Sequence, residues 1–267
     1  MNNQYYFVTT SIKINDVIEA KAKMISSQLG LPYVERDGYS LQQLAEKYHS
    51  NGLLVVSRSE LTVHVAGQEF FFHPGMAKLR IKSLKNGYND QMINAMQLEP
   101  RDSVLDCTLG LGADALVANY VVGPAGTVIG LEINPLMAYV VDEGIKNYST
   151  ENKALMQAVK GIKVINADYS DYLKTLATAS IDVIYFDPMF RKPLYKSASM
   201  SPLRKLADHH PVDELSLLEA CRVARKRVVL KETAHSKEFA RLGFNSIIGG
   251  KNSPVAFGVM EIGGEKI

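Results

Sequence analysis

Apolar and polar positions follow two different patterns along this chain, and the change comes near residue 75. Before it, short apolar runs with strand-like alternation are interspersed with stretches in which apolar residues recur every three or four positions. They predict strands at 5–10, 53–57, 61–66 and 69–72 and helices at 17–29 and 41–48. His73-Pro-Gly75 interrupts the pattern and marks a predicted boundary. Residues 1–75 are therefore predicted to form a small α+β module, for which substrate recognition is a hypothesis.

Residues 76–267 show the more regular pattern of an α/β domain. A helical period at 78–98, interrupted at 86–90, is followed by strand-like runs that alternate with helical stretches. Because such alternation implies right-handed crossovers, it predicts a parallel sheet. The strands are predicted at 103–108, 127–133, 163–168, 181–187 and 227–231, and the helices at 113–120, 135–148, 169–176 and 212–224. Two further strands, at 244–250 and 256–262, are joined by a short turn that requires antiparallel pairing.

Length, charge and cysteine content limit the classes of protein to which this chain can belong. The chain has 267 residues, of which 46% are hydrophobic, with two cysteines and a net charge of +2. No apolar run approaches the roughly 20 residues of a membrane span, and the N-terminus lacks the pattern of a signal peptide. Two cysteines cannot form a disulfide framework and lack metal-site spacing. The sequence therefore predicts a cytoplasmic protein without a membrane partner, and a nucleic-acid partner would need a local basic patch.

The segment Val104-Leu-Asp-Cys-Thr-Leu-Gly-Leu-Gly112 reads as a strand that ends in a ligand-binding loop. Gly110 and Gly112 allow close approach of the backbone to a ligand, and the next helix would point its N-terminus at that ligand. The same residues satisfy a dinucleotide fingerprint, and Glu132, about 20 residues on, suits ribose hydroxyls. The loop alone therefore fits either a nicotinamide cofactor or S-adenosylmethionine.

Carboxylates around the glycines favour S-adenosylmethionine. Asp106 precedes the glycines, where it could bind the methionine ammonium. Asp114 opens the following helix, where an acid would repel a pyrophosphate. Asp168 ends the third predicted strand of the domain, where methyltransferases commonly bind the adenine amino group. The alternative is a tight strand–helix turn with solvated acids.

A second loop, Asp187-Pro-Met-Phe190, follows the fourth predicted strand of the domain. Its residues could hold the exocyclic amino group of a base as the acceptor of a methyl group. Such an amino group is a poor nucleophile because its lone pair is delocalised into the ring. Asp187 and the carbonyl of Pro188 could accept its two protons and localise that lone pair. Phe190 could stack on the base. These three residues are the predicted catalytic residues, and the alternative is a proline turn with Phe190 in the core.

Four segments together resemble the bacterial small-subunit (16S) ribosomal RNA guanine-N2 methyltransferase J family, or a sister group of it. They are Asp-Cys-Thr-Leu-Gly-Leu-Gly-Ala-Asp-Ala115, Leu-Glu-Ile-Asn-Pro135, Tyr-Phe-Asp-Pro-Met-Phe190 and Arg-Val-Val-Leu-Lys231. The resemblance covers about residues 103–232. It implies a class I methyltransferase fold, Rossmann-like, with a mostly parallel seven-stranded sheet and an antiparallel terminal strand. It also implies S-adenosylmethionine as methyl donor and a guanine of 16S ribosomal RNA as acceptor. Site roles carry over to Asp106, Gly110, Gly112, Asp114, Glu132, Asp187, Pro188 and Phe190.

Two clusters of basic residues are candidates for RNA binding. Arg80, Lys82 and Lys85 precede the segment 104–112, here called the glycine loop, and Arg191 and Lys192 follow the segment 187–190, here called the acceptor loop. Contact with phosphates is the functional interpretation, and a solvated basic face is the alternative. Ribosomal RNA or the small ribosomal subunit is the expected partner. Three alternative functions stay open: N6-adenine methylation of RNA or DNA, a nicotinamide-dependent oxidoreductase, and a silent RNA-binding protein with this fold. Lys231 ends a strand and could face the cleft, with no role assigned.

Overall fold

The computed structural model describes residues 5–190, 209–249 and 253–263, and its N-terminal part contains a small sheet. This sheet has the strand order β1-β2-β3-β4. Its strands are β1 (Tyr6–Thr10), β2 (Gly52–Val56), β3 (Leu61–Val65) and β4 (Gln68–Phe70). β1 and β2 are parallel and are connected through helices α1 (Asp16–Leu29) and α2 (Leu41–Lys47), whereas the other pairs are antiparallel. The predicted α+β module is confirmed.

The larger sheet has seven strands in the order β10-β11-β9-β8-β5-β6-β7. Its strands are β5 (Ser103–Asp106), β6 (Thr127–Glu132), β7 (Ile162–Asn166), β8 (Ile181–Phe186), β9 (Ala224–Thr233), β10 (Ser246–Ile248) and β11 (Val255–Glu261). β5 to β9 pair in parallel, and β11 runs antiparallel to both of its neighbours. The predicted α/β fold is therefore confirmed. The antiparallel strand is the last along the chain but lies inside the edge strand β10.

Eight helices accompany the larger sheet in the described residues. They are α3 (Gly75–Lys85), α4 (Gln91–Met96), α5 (Ala113–Val122), α6 (Pro135–Asn147), α7 (Lys153–Lys160), α8 (Tyr169–Thr175), α9 (Glu214–Val223) and α10 (Glu238–Arg241). The pattern of the sequence did not predict α7 and α10. The signal for α7 was present, because Asn152 caps it and the buried residues Leu155, Ala158 and Val159 have helical spacing.

Two apolar clusters cover the two faces of the larger sheet. Val104 and Val183 belong to one cluster, and their neighbours Leu105 and Ile184 belong to the other. Adjacent residues of one strand thus point into different cores, as the near-continuous apolar runs predict for a sheet covered on both faces. This three-layer arrangement fixes the strand ends from which the site is built.

A third apolar cluster joins the small sheet to helix α6. Val8 and Val63 of the small sheet pack in it together with Leu136, Met137 and Val140 of α6. The division of the chain at about residue 75 stays a prediction, and this shared core shows that the parts on either side of it are packed against each other. No helix among the described residues is long and apolar enough to cross a membrane.

Candidate functional site

The candidate site lies at the carboxyl ends of β5, β6, β8 and β9. The strand order reverses at β5, which pairs with β6 on one side and with β8 on the other. Parallel sheets bind ligands in the crevice at such a switch point. Asp106 ends β5, Glu132 ends β6 and Asp187 directly follows β8, so the predicted acids of these three strands meet at this edge.

The glycine loop turns tightly between β5 and α5. Its Leu109 N–H donates to the Leu131 carbonyl at 2.8 Å, which fastens the loop to β6. Gly110 and Gly112 have φ angles of +53° and +79°, a region that L-residues rarely adopt. A Cβ atom built on Gly110 would meet no atom closer than 3.9 Å. Gly110 therefore leaves open space on the side where a ligand would approach.

Asp106 is a buried carboxyl group with one hydrogen bond from the described residues. It is 2% exposed, and its Oδ1 accepts the Thr108 N–H at 3.0 Å. Burial raises its pKa to about 8, and the nearby carboxylates Asp114 and Asp187 add to the effect. A ligand cation such as an ammonium group would favour the ionised form of this buried carboxyl and could then pair with it.

Glu132 holds the glycine loop and the start of α6 together. Its Oε2 accepts the Gly110 N–H at 3.1 Å and its Oε1 accepts the Asn134 N–H at 2.8 Å. Asn134 caps α6 and Pro135 occupies the first turn, which is a favourable pair at a helix start. Glu132 thus lies at the ligand-facing edge with its carboxylate oriented by two backbone groups.

Asp168 lies two residues beyond the end of β7, which corrects the prediction that it ends this strand. Its Oδ1 accepts the Ser170 N–H at 2.8 Å, so it caps α8. The side chain of Asn166 donates to the carbonyls of Glu132 and Ile133 at 2.7 and 3.0 Å and ties this loop to the end of β6. Ile133, 43% exposed, adds an apolar surface between the two acids.

Five charged side chains form a chain of alternating sign from α4 to the acceptor loop. Arg80 binds Asp90 through Nε and Nη2, at 2.7 and 2.9 Å, and binds Asp114 Oδ1 through Nη1. Lys231 Nζ lies 2.9 Å from Asp114 Oδ2 and 2.7 Å from Asp187 Oδ2. The order is Asp90, Arg80, Asp114, Lys231, Asp187, with acids at both ends. We call this set the ion chain.

The charges of the ion chain shift the pKa values of its members and so set their protonation states. Burial alone would raise the pKa of Asp114, but Lys231 and Arg80 outweigh it and hold that pKa well below the ordinary value. Burial would lower the pKa of Lys231, but Asp187 and Asp114 raise it above its usual range. At Asp187 burial, with a contribution from Asp114, outweighs the opposing effect of Lys231 and raises the pKa to about 6. Asp114 thus stays ionised in the first turn of α5, where a pyrophosphate would bind.

The acceptor loop is fastened to the glycine loop at its first residue. The Asp187 N–H donates to Thr108 Oγ1 at 2.6 Å. Pro188 and Met189 line a small crevice with Leu230 and Val212. Phe190 is half-buried and belongs to none of the buried clusters, so it does not occupy the core position that the alternative interpretation required.

The predicted RNA-binding residues fall into three groups. Arg80 lies in the ion chain, with both edges of its guanidinium bound by carboxylates, which disfavours contact with an RNA phosphate. Lys82 and Lys85 are exposed on α3. Arg191 and Lys192 lie outside the described residues. The RNA contacts of these residues stay a prediction.

The sequence assigns no role to Lys231 and does not point to Tyr185, Asp90 or Thr108, all of which the structure places in the site. Tyr185 donates its hydroxyl to Asp114 Oδ2 at 2.7 Å from the end of β8. The contact between Asp187 and Lys231 follows from the register of the strands, because Phe186 of β8 pairs with Leu230 of β9. The residues that come next along the chain, Asp187 and Lys231, therefore lie side by side. A single sequence does not reveal this register.

Residues 31–255 match the family model described as "Putative SAM-dependent methyltransferase". The chain belongs to this family. It is similar to the uncharacterized protein YpiP of Bacillus subtilis (strain 168), with 38% identity over 95% of this chain and 98% of the relative. It is also 25% identical to ribosomal RNA small subunit methyltransferase J of Buchnera aphidicola subsp. Schizaphis graminum, over 82% of this chain and 92% of the relative.

A solved structure supports the fold. The SAM-dependent methyltransferase NGO1261 from Neisseria gonorrhoeae superposes with a TM-score of 0.65 at 18% identity, covering 96% of each chain. Family membership identifies this protein as an S-adenosylmethionine-dependent methyltransferase and decides against the nicotinamide alternative. The site agrees, since a buried Asp106 suits the ammonium group of this cofactor and the ionised Asp114 opposes a pyrophosphate.

Proposed function

We propose that this methyltransferase transfers a methyl group to the exocyclic amino group of a base in RNA, with guanine N2 of 16S ribosomal RNA as the leading target. The observation that carries the proposal is the position of Asp187-Pro-Met-Phe190 beside the cofactor loop, joined through the bond from Asp187 N–H to Thr108 Oγ1. Relatives named ribosomal RNA small subunit methyltransferase J support the choice of substrate.

In this proposal, the cofactor occupies the crevice between the glycine loop and the ends of β6 and β7, and it supplies an electrophilic methyl group. Asp106 would bind its ammonium, Gly110 and Gly112 would allow its close approach, and Glu132 would accept its ribose hydroxyls. Asp168 would accept the adenine amino group, and the exposed Ile133 would provide an apolar surface for the adenine ring. Asp114 acts indirectly, because its oxygens are bound by Arg80, Lys231 and Tyr185.

The acceptor residues would act on the amino group that receives the methyl. Asp187 and the carbonyl of Pro188 would accept its two N–H groups and so localise its lone pair. Phe190 would stack on the base, a contact worth about 1–3 kcal/mol. The amine nitrogen would accept the methyl group that the cofactor supplies, and it would release one of its protons to Asp187 or to water. Positioning and electrostatics would supply most of the rate.

Two experiments test the proposal. Mass spectrometry of nucleosides from 16S, 23S and transfer RNA compares a deletion strain with its parent. Loss of N2-methylguanosine from 16S RNA is expected, whereas loss of N6-methyladenosine would favour the adenine alternative. Tritiated methyl transfer to 16S RNA and to small subunits from the deletion strain then identifies the acceptor form. An unchanged nucleoside profile in all three RNAs contradicts the proposal.

Asp187→Asn provides the catalytic test in the transfer assay. We expect a loss of turnover of at least about 100-fold with little change in cofactor affinity, because this residue acts chiefly in the transition state. Asp182→Asn is the matched control, since Asp182 lies near the opposite end of β8 and binds Arg225 and Ser103. Near-normal turnover of Asp187→Asn would remove Asp187 from the mechanism.

Lys82 and Lys85 lie on α3, the helix that also carries Arg80, and we propose that they contact RNA phosphates. Lys78, Lys82 and Lys85 have the i, i+4, i+7 spacing of one helix face, and all three are exposed. Changing Lys82 and Lys85 to glutamine should weaken RNA binding and flatten its salt dependence, by about 0.7 in log–log slope for each single-strand phosphate that is no longer neutralised. The control pair is Lys153→Gln with Lys237→Gln, two exposed lysines on other elements. Equal slopes for both pairs would show that the α3 lysines are solvated surface charges.

A further inference from the structure

Lys231 is placed to control the acceptor carboxylate. Its side chain is 22% exposed, and its ammonium lies 2.7 Å from Asp187 Oδ2 and 2.9 Å from Asp114 Oδ2. Among the described residues, Asp187 Oδ1 has no hydrogen-bond partner, and the Asp187 N–H is fixed on Thr108. Within the described part of the chain, one oxygen of this carboxylate is thus held by Lys231, and the other is available to a ligand.

We propose that Lys231 is a positioning residue for methyl transfer: its ammonium holds and orients the Asp187 carboxylate, so that Oδ1 can accept an N–H of the acceptor amine. This inference rests on the proposed function of Asp187. If Asp187 were protonated on Oδ1, that oxygen could no longer accept the N–H of the acceptor amine. If the carboxylate were rotated, Oδ1 would not point at that N–H. Lys231 therefore acts through Asp187 and does not itself contact the reacting atoms.

The rest of the ion chain keeps the Lys231 ammonium in place. Lys231 is not the only partner of Asp114. Arg80 binds one oxygen of Asp114, and the Tyr185 hydroxyl donates to the other. Arg80 is in turn fixed by the bidentate pair with Asp90. The ammonium is consequently shared between Asp114, which has partners on both oxygens, and Asp187, whose Oδ1 has no partner among the described residues. The five formal charges of the ion chain sum to −1, and the member of the ion chain at the acceptor loop is the acid Asp187.

The groups that face Asp187 set the direction of the expected pH effect. Among the described residues, they are Lys231 from β9, Asp114 from α5, Asp106 from β5 and Tyr185 from β8. Of these, only Lys231 is a cation. Its removal leaves Asp187 among acids and a phenol, so that Asp187 binds its proton more tightly and the acid limb of the kcat–pH profile moves to higher pH.

The test compares Lys231→Met, Lys231→Arg and the control Lys226→Met. Lys226 lies on the same strand, binds two acids (Asp102 at 2.7 Å and Glu99 at 3.3 Å), and is remote from the acceptor loop. In methyl transfer to 16S RNA we expect Lys231→Met to lower kcat by roughly 100-fold, as for a misplaced catalytic group. Its KM and its affinity for S-adenosylhomocysteine should stay close to the parent values. Lys226→Met should keep the parent kcat and pH profile.

Lys231→Arg separates charge from geometry. Arginine keeps the positive charge, so the acid limb should stay at the parent pH, but its planar fork cannot reproduce a point charge between the two acids and kcat should fall. This variant also serves if Lys231→Met does not fold. Parent-like kcat and pH profile in Lys231→Met overturn the proposal. A loss confined to KM or to S-adenosylhomocysteine affinity also overturns it, because Lys231 would then bind a substrate directly.

A readout without an acceptor distinguishes this inference from the proposed function. Nuclear magnetic resonance of protein labelled with carbon-13 at the aspartate carboxyls follows the titration of Asp187, which Asp187→Asn assigns. The Asp187 resonance should titrate at higher pH in Lys231→Met than in the parent and in Lys226→Met. If the parent methylates no RNA, the proposed function fails, and this titration still decides whether Lys231 controls the charge of Asp187.

Discussion

At the scale of single residues, we predict that Asp106 couples cofactor binding to the release of a proton. Burial raises its pKa to about 8, so that most molecules carry the proton at neutral pH. An ammonium group on the bound cofactor would favour the ionised carboxylate, and the proton would then leave. We expect S-adenosylhomocysteine binding at pH 7 to release close to one proton. Calorimetry in buffers of different ionisation enthalpy measures this number.

The variant Asp106→Asn is the control for this release. It should bind the cofactor more weakly and release no proton. The same substitution should also alter the pH dependence of stability without ligand. Because the folded pKa of about 8 lies above the ordinary value of 3.8, the stabilising effect of this proton is complete below about pH 4 and is lost as the pH rises through 8. Equal proton release in the parent and Asp106→Asn would place the coupled proton elsewhere.

At the scale of elements, the glycine loop combines backbone strain with open space. Gly110 and Gly67 both have positive φ, +53° and +76°, but Gly67 lies in the remote β3–β4 turn and a Cβ there would meet nothing within 4 Å. Gly110→Ala and Gly67→Ala should each cost about 1–2 kcal/mol of stability through the left-handed backbone. Only Gly110→Ala should also weaken S-adenosylhomocysteine binding, as calorimetry would show. Equal affinities would mean that no ligand approaches Gly110.

The elements of the larger sheet could be predicted well because their apolar runs are long and regular. The loops at their ends were harder. Asp168 was expected to end β7, whereas the strand stops at Asn166 and Asp168 caps α8. Arg80 was grouped with the surface lysines of α3 because its sequence neighbours are basic, yet it binds two acids. Such pairs depend on how α3 packs beside α5, which no local pattern encodes.

At the scale of the whole molecule, the small sheet supports the cofactor site through α6. Leu111 of the glycine loop packs against the cluster that the small sheet forms with α6. Tyr6 of β1 also lies within hydrogen-bond distance of Asn134, whose side-chain Nδ2 is 3.3 Å from the Tyr6 hydroxyl. Asn134 directly follows Ile133, the residue after Glu132 at the end of β6. The module is thus positioned to stabilise the candidate cofactor site, and substrate recognition by the module stays a prediction.

This arrangement predicts different effects from the two faces of one small sheet. Val63 is buried on the face that shares a core with α6, and Val55 is buried on the opposite face against α2. Each change to alanine removes two methyl groups and should cost about 2 kcal/mol, measured by chemical denaturation. Val63→Ala should in addition weaken S-adenosylhomocysteine binding, because α6 can then shift with Asn134 and the backbone N–H that orients Glu132. Val55→Ala should keep the parent affinity. Equal affinities in the two variants would mean that the module stabilises itself alone, and its contribution would then lie in substrate recognition.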